Sequence, residues 1–346
     1  MLRAKFLSES CREFGWFFFH AFCTYLIMKM KLKNIVYLLL KLSCFGSAFL
    51  FLVDRALSVR EQLSSALFSF YQIAAISFFT LLALASFPMF GAFILRVFGL
   101  AIHPWKVWKI YFKSQLAKYL PGGIWAIVGR GYYYHLEDIP MRKGSQIILF
   151  EMILFSYFTA ITTYPMLMII KPDFQFSFLL NFFNNAVITT SIYIFFCFIG
   201  LFLMKAFYLR IHKLGGVIWK PSAVAVCVLL VSNAIYWTVH GMAMRFIPNV
   251  PSIEHISLIS LSAVYGISWL AGFIVFLTPA GLGVREGVMI SLLQWYGATS
   301  SDATLVALLS RFFWIVVEGI LILFSFSVDF FSTKSQRTSS ISSHHF

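Results

Sequence analysis

Apolar runs broken by short polar stretches occupy almost the whole chain. Those at residues 34–53, 64–87, 145–170, 183–204, 223–247, 256–277 and 303–326 are each about as long as the 20 residues a helix needs to cross a bilayer. In hydrocarbon every backbone N–H and C=O must find a partner within the protein, so such runs become helices. The pattern therefore predicts an all-α polytopic membrane protein with about seven to eight transmembrane helices. Shorter apolar runs at 89–100, 124–134 and 288–296 cannot cross alone. Pro88 is expected to end or kink the second span, because proline has no N–H to give the helix. Residues 89–100 are then expected to continue as an interfacial helix.

Two of the short runs open on turn-forming residues. One stretch begins at Lys118 and reads through Pro121, Gly122 and Gly123 to Arg130; the other reads through Thr278, Pro279, Ala280, Gly281 and Gly283 to Arg285 and Glu286. Each is set among hydrophobic spans, which predicts a pair of broken, re-entrant helices facing one site. Unpaired N–H groups and the helix dipole make the start of such a half-helix attractive to anions. Arg130 is placed either to fork onto phosphate oxygens or to pair with Glu137 or Asp138. Arg285 and Glu286 are placed to pair with each other, to pair with other buried charges, or to meet and balance a headgroup. Two spans, a broken element and another span recur at each end of the chain, a pattern consistent with an internal repeat.

Charges inside the spans are few, and each is costly enough to need a role or a partner. Glu151 lies within the 145–170 run, with Phe155, Phe158 and Thr162 on the same helical face. Arg311 and Glu318 lie seven residues apart in the last run, about 10 Å along the axis. That is too far to bond each other, and each is expected to reach a charge on the second broken helix. Asn233, Tyr236 and His240 form a polar row in the 223–247 run that suits bonding between helices, with a substrate role for His240 as the alternative. Lys41 is read as snorkelling to the interface. His135, Glu137 and Asp138 suit either a hydrated turn or acid-base chemistry.

Composition agrees: 60% of residues are hydrophobic and 12% charged, with a mean hydropathy of +0.85. The net charge is +14. In a soluble chain that would suggest nucleic acid, but here the lysines and arginines gather in short loops, as cytosolic loops require, so anionic headgroups are the expected partner. Lys106, Lys109 and Lys113 interleave with Trp105, Trp108, Tyr111 and Phe112, which suits a helix at headgroup level. Five cysteines without Cys-x-x-Cys spacing support neither a metal site nor a disulfide framework, and no cofactor motif is present.

The Leu-Pro-Gly-Gly element ending in Arg130, the Pro-x-Gly-x-Gly-Val-Arg-Glu-Gly element from Pro279, and Ala-Leu-Leu-Ser-Arg-Phe-Phe-Trp at 307–314 resemble the transmembrane region of lysylphosphatidylglycerol synthase and its flippase-like relatives. The likeness covers roughly residues 30 to 330. The chain departs from it at Gly123-Ile124-Trp125-Ala126, where many relatives have a further glycine and an acid, and at Ala280, where Pro-Gly-Gly is usual. The resemblance implies a lipid flippase of a bacterial cytoplasmic membrane, without the synthase's soluble aminoacyl-transferase domain. It implies a functional acid at Glu151 and, as partners, envelope-biosynthesis enzymes. A phosphate-bearing substrate, a phospholipid or a polyprenyl-phosphate sugar, would meet Pro121, Gly122, Gly123, Arg130, Glu151, Pro279, Gly281, Gly283, Arg285, Glu286, Arg311 and Glu318. The alternative is a membrane-embedded transferase acting on a lipid-linked substrate.

Residues 1–33, basic and aromatic, are read either as an interfacial segment or as lying upstream of a start at Met28 or Met30. Residues 34–328 form the transmembrane domain. Residues 329–346, rich in Ser and Thr, are expected to be a disordered tail.

Overall fold

Ser69 opens the first long helix. Its hydroxyl accepts from the Gln72 backbone N–H, and the Gln72 side chain accepts from the Ser69 N–H, so two otherwise unpaired donors are satisfied reciprocally. In the computed structural model, residues 43, 46, 47, 49–61, 69–119, 125–170, 223–275 and 279–342 are described. The chain divides into units 1–47 and 48–346, and the account below concerns the second.

Its helices are α1 (Phe70–Val97), α2 (Pro104–Gln115), α3 (Trp125–His135), α4 (Met141–Ile170), α5 (Ala223–Arg245), α6 (Leu258–Ile274), α7 (Val284–Trp295) and α8 (Ser300–Ser342). Short 3-10 turns occupy Leu116–Tyr119, Pro251–Ile253 and Pro279–Gly281. No strand occurs among the described residues. Four helices are long and apolar enough to cross a membrane: α1, α4 over Met141–Met166, α5 over Val226–Arg245, and α8 over Ser300–Val328. The chain is thus a helical, multi-pass membrane protein. At 17 residues α6 is shorter than these, and the 183–204 run lies outside the described residues.

Three boundaries differ from the sequence reading. Helix α1 runs through Pro88 instead of ending there. One missing hydrogen bond in a 28-residue helix is a local loss, and Pro88 is buried against neighbours that hold the helix together. Residues 54–58, in the polar stretch between the first two apolar runs, are helical. Helix α8 continues to Ser342, past Asp329, where the composition predicts disorder.

The end of α1 is set by Gly99 at φ 71°, with Leu100 N–H reaching Leu95 O and Gly99 N–H reaching Arg96 O. That turn releases the chain into α2, which begins at Pro104 with the His103 ring capping Trp105 N–H. Helix α2 buries Val107, Trp108, Ile110 and Phe112 and leaves Lys106 exposed.

Helix α6 packs on both α4 and α5, α1 packs on α5, and α8 packs against α1, α2 and α7. Between α4 and α5 the joint is polar. Asn233 accepts from Thr162 at 2.9 Å and donates to Thr159, while Trp237 Nε1 donates to Thr159 at 3.1 Å. Interhelical bonds of this kind are worth about 0.6 kcal/mol each in membrane proteins, so they fix register more than they add stability.

Candidate functional site

The chain leaves α6 at Ile274 and resumes as α7 at Val284, and the backbone groups opened between them must be satisfied. Gly281 adopts φ 71° and lies against Gly272 of α6, so close that a Cβ there would stand 2.7 Å from the Gly272 Cα. The turn therefore packs backbone on backbone. Ala280 takes φ 52°, an uncommon conformation for a residue with a Cβ. Its carbonyl accepts from Arg311 Nη2 at 3.1 Å. Gly283 N–H donates to Glu286 Oε2 at 2.7 Å, so the carboxylate three residues into α7 caps that helix from inside. The other Glu286 oxygen lies 3.5 Å from Arg311 Nε. Glu286 and Arg311 thus hold the broken backbone as well as each other.

Arg285 is placed differently. It is buried, and its guanidinium lies 4.7 Å from the ring centre of Tyr265 on α6 and 4.4 Å from that of Trp314 on α8. Among the described residues no carboxylate stands within ion-pair distance of it, and its Nη2 has no hydrogen-bond partner.

The approach to the first broken element arrives at the same place. The turn at Leu116–Tyr119 packs against the turn at Pro279–Gly281, and Lys118 Nζ donates to Glu318 Oε1 on α8. Pro121, Gly122 and Gly123 lie outside the described residues. Among the described residues, Lys118, Arg285 and Arg311 with Glu286 and Glu318 make three cations and two carboxylates here, one more cation than carboxylates.

Beyond the first break, Arg130 on α3 donates to Glu151 on α4 at 2.8 Å, both side chains being buried. This resolves the open choice for Arg130: the partner is Glu151. Glu137, the other choice, instead meets Lys106 of α2 at 2.8 Å. Tyr111 offers its ring to the Arg130 guanidinium at 5.2 Å. A Cβ on Gly91 of α1 would come within 2.9 Å of Glu151 Oε2, so a larger residue there would push the carboxylate aside.

Several expectations can now be placed. Arg285, Glu286, Arg311 and Glu318 come together with Pro279, Gly281 and Gly283 at the second break, whereas Arg130 and Glu151 form a separate, neutral pair. Arg311 reaches the second broken helix, as expected for both charges on α8. Glu318 pairs with Lys118, because the two turns pack together and bring the lysine over α8. The sequence reading missed Lys118 as a site residue, along with Tyr265, Trp314, Gly272 and Gly91. Lys118 carried a signal, since it opens the Leu-Pro-Gly-Gly stretch, but nothing local marks Tyr265 among the apolar residues of α6.

His240 on α5 is fully buried beside this site, with ring centres of Tyr265 and Trp314 at 4.5 and 4.9 Å. His135 lies elsewhere, its Nδ1 3.4 Å from Ile139 O. No group of three or more metal-ligating side chains occurs among the described residues. Neither a protein-family model nor a curated protein matches the chain.

Proposed function

We propose that this chain is a lipid transporter of flippase type in a bacterial cytoplasmic membrane, and that it moves a phosphate-bearing lipid between leaflets. The observation that carries this reading is Arg285. A buried cation is costly, and the site's other cations, half-buried Lys118 and buried Arg311, each have a carboxylate. Arg285 has two aromatic faces instead, at the N-terminal end of α7, where the helix dipole adds to its attraction for anions. A phosphate or phosphodiester entering there would complete the guanidinium's hydrogen bonds and neutralise the charge left over.

The remaining charges support rather than bind. Glu286 and Arg311 keep the backbone open at Ala280 and Gly283, and Lys118 with Glu318 ties the first turn to the last helix. A site that holds its anion with one unneutralised cation binds weakly enough to release it on the far side, which transport requires. The substrate is a phospholipid or a polyprenyl-phosphate sugar, consistent with the motif resemblance.

Leaflet exchange in proteoliposomes tests this. Labelled phospholipids and polyprenyl-phosphate lipids are supplied to wild-type protein and to Arg285→Ala. The expected result is exchange of one lipid class by the wild type and its loss in the variant at normal expression. No exchange of any lipid by well-folded wild-type protein, with or without an ion gradient, overturns the proposal.

A further inference from the structure

Three unpartnered polar atoms, from His240, Trp314 and Arg285 on three different helices, belong to one aromatic nest. His240 of α5 has its Nδ1 3.1 Å from the Tyr236 carbonyl, and a carbonyl only accepts, so this nitrogen carries the proton. In the neutral ring that leaves Nε2 with a lone pair, and Nε2 is buried without a partner. Trp314 of α8 presents a buried, unpartnered Nε1–H, and Arg285 of α7 a buried, unpartnered Nη2. All three side chains are at least nine-tenths buried, at 0%, 5% and 4% exposure. The His240 and Trp314 ring centres are 4.9 Å apart, and the Arg285 guanidinium lies 4.4 Å from the Trp314 ring centre.

Buried polar groups are rarely left unbonded, because each costs about 1–3 kcal/mol. Here the groups are of mixed type: two donors, one of them cationic, and one acceptor. A bare anion would satisfy the donors and leave the histidine lone pair facing a second lone pair. A hydroxyl satisfies both kinds, since its oxygen accepts from an N–H while its hydrogen goes to Nε2.

We infer that His240, Trp314 and Arg285 form a headgroup subsite that recognises a hydroxyl carried next to the phosphodiester of a lipid. Resting on the lipid-transport reading, this adds the headgroup chemistry. Arg285 takes the phosphate, Trp314 donates to the hydroxyl oxygen or to a phosphate oxygen beside it, and His240 Nε2 receives the hydroxyl hydrogen. The aromatic walls of Tyr265, Trp237 and Tyr236 exclude water from the exchange.

The test uses two headgroups of matched size. Full-length protein in detergent is titrated with dihexanoyl phosphatidyl lipids bearing a 2-hydroxyethyl or a propyl headgroup, read by tryptophan emission. The wild type is expected to bind the hydroxyethyl lipid about tenfold more tightly. His240→Phe should lower that affinity about tenfold and bring the ratio to one. His240→Gln, which restores an acceptor near the Nε2 position, should recover most of the preference. Equal wild-type affinities overturn this inference alone, as does a preference that survives in His240→Phe, which would leave the nest holding a bound water only. Binding of neither lipid overturns this inference and the phospholipid arm of the transport reading, whose polyprenyl-phosphate arm is tested by the leaflet-exchange assay.

Discussion

Arg130 and Arg285 look alike in the sequence, each following a Pro-Gly break, yet their surroundings assign them opposite tasks. Arg130 is neutralised by Glu151 at 2.8 Å, whereas Arg285 has aromatic faces and no acid among the described residues. Breaking a buried pair leaves an uncompensated charge, so Arg130→Ala or Glu151→Ala should each destabilise the protein by about 3–5 kcal/mol. Replacing both, as Arg130→Met with Glu151→Leu, should recover most of that. Denaturant titration of detergent-solubilised protein reads the difference, and a double variant as unstable as the singles would mean the pair is not what holds α3 on α4.

At the scale of elements, the break between α6 and α7 is held by backbone contact as much as by charge. Gly281→Ala would force a Cβ to within 2.7 Å of the Gly272 Cα in a left-handed conformation, and neither backbone has a side chain that could move aside. The variant should lose at least about 2 kcal/mol and, under the transport proposal, lipid exchange with it. Ala280→Gly is the control. It relieves the φ of 52° and leaves the carbonyl that Arg311 holds, so it should melt no lower than the wild type. Thermal unfolding in detergent compares the two, and equal melting of Gly281→Ala and wild type would show that the turn has room to shift.

Across the molecule the two broken elements mirror each other with their charges exchanged. On the first side Arg130 of the short helix α3 meets Glu151 of the following long helix α4; on the second, Glu286 of the short helix α7 meets Arg311 of the following long helix α8. The turns that precede α3 and α7 touch, and Lys118 with Glu318 links the first to the last helix. If that link sets how the halves meet, then under the transport proposal Lys118→Glu and Glu318→Lys should each abolish lipid exchange, and the two together should restore part of it. A double-mutant cycle should give a coupling of about 0.5–3 kcal/mol. Additive losses would reduce the contact to a local one.

The order of apolar and polar positions was enough to determine a helical membrane protein, the interruption between α6 and α7, and which charges are too costly to be idle. Those follow from local physics, since an apolar run at membrane depth must satisfy its own backbone and a Pro-Gly stretch cannot. Pairing was not legible. Glu137 and Asp138 lie seven and eight residues from Arg130, but the partner is Glu151, twenty-one residues on, because α3 folds back along α4. Nothing local distinguishes Tyr265 or Gly272 from the other residues of α6, and His240 stood in a polar row whose neighbour Asn233 only joins helices. Only the packing of α5, α6, α7 and α8 around one point decided which cation has no acid among the described residues, since charge neutralisation depends on distances that close in three dimensions.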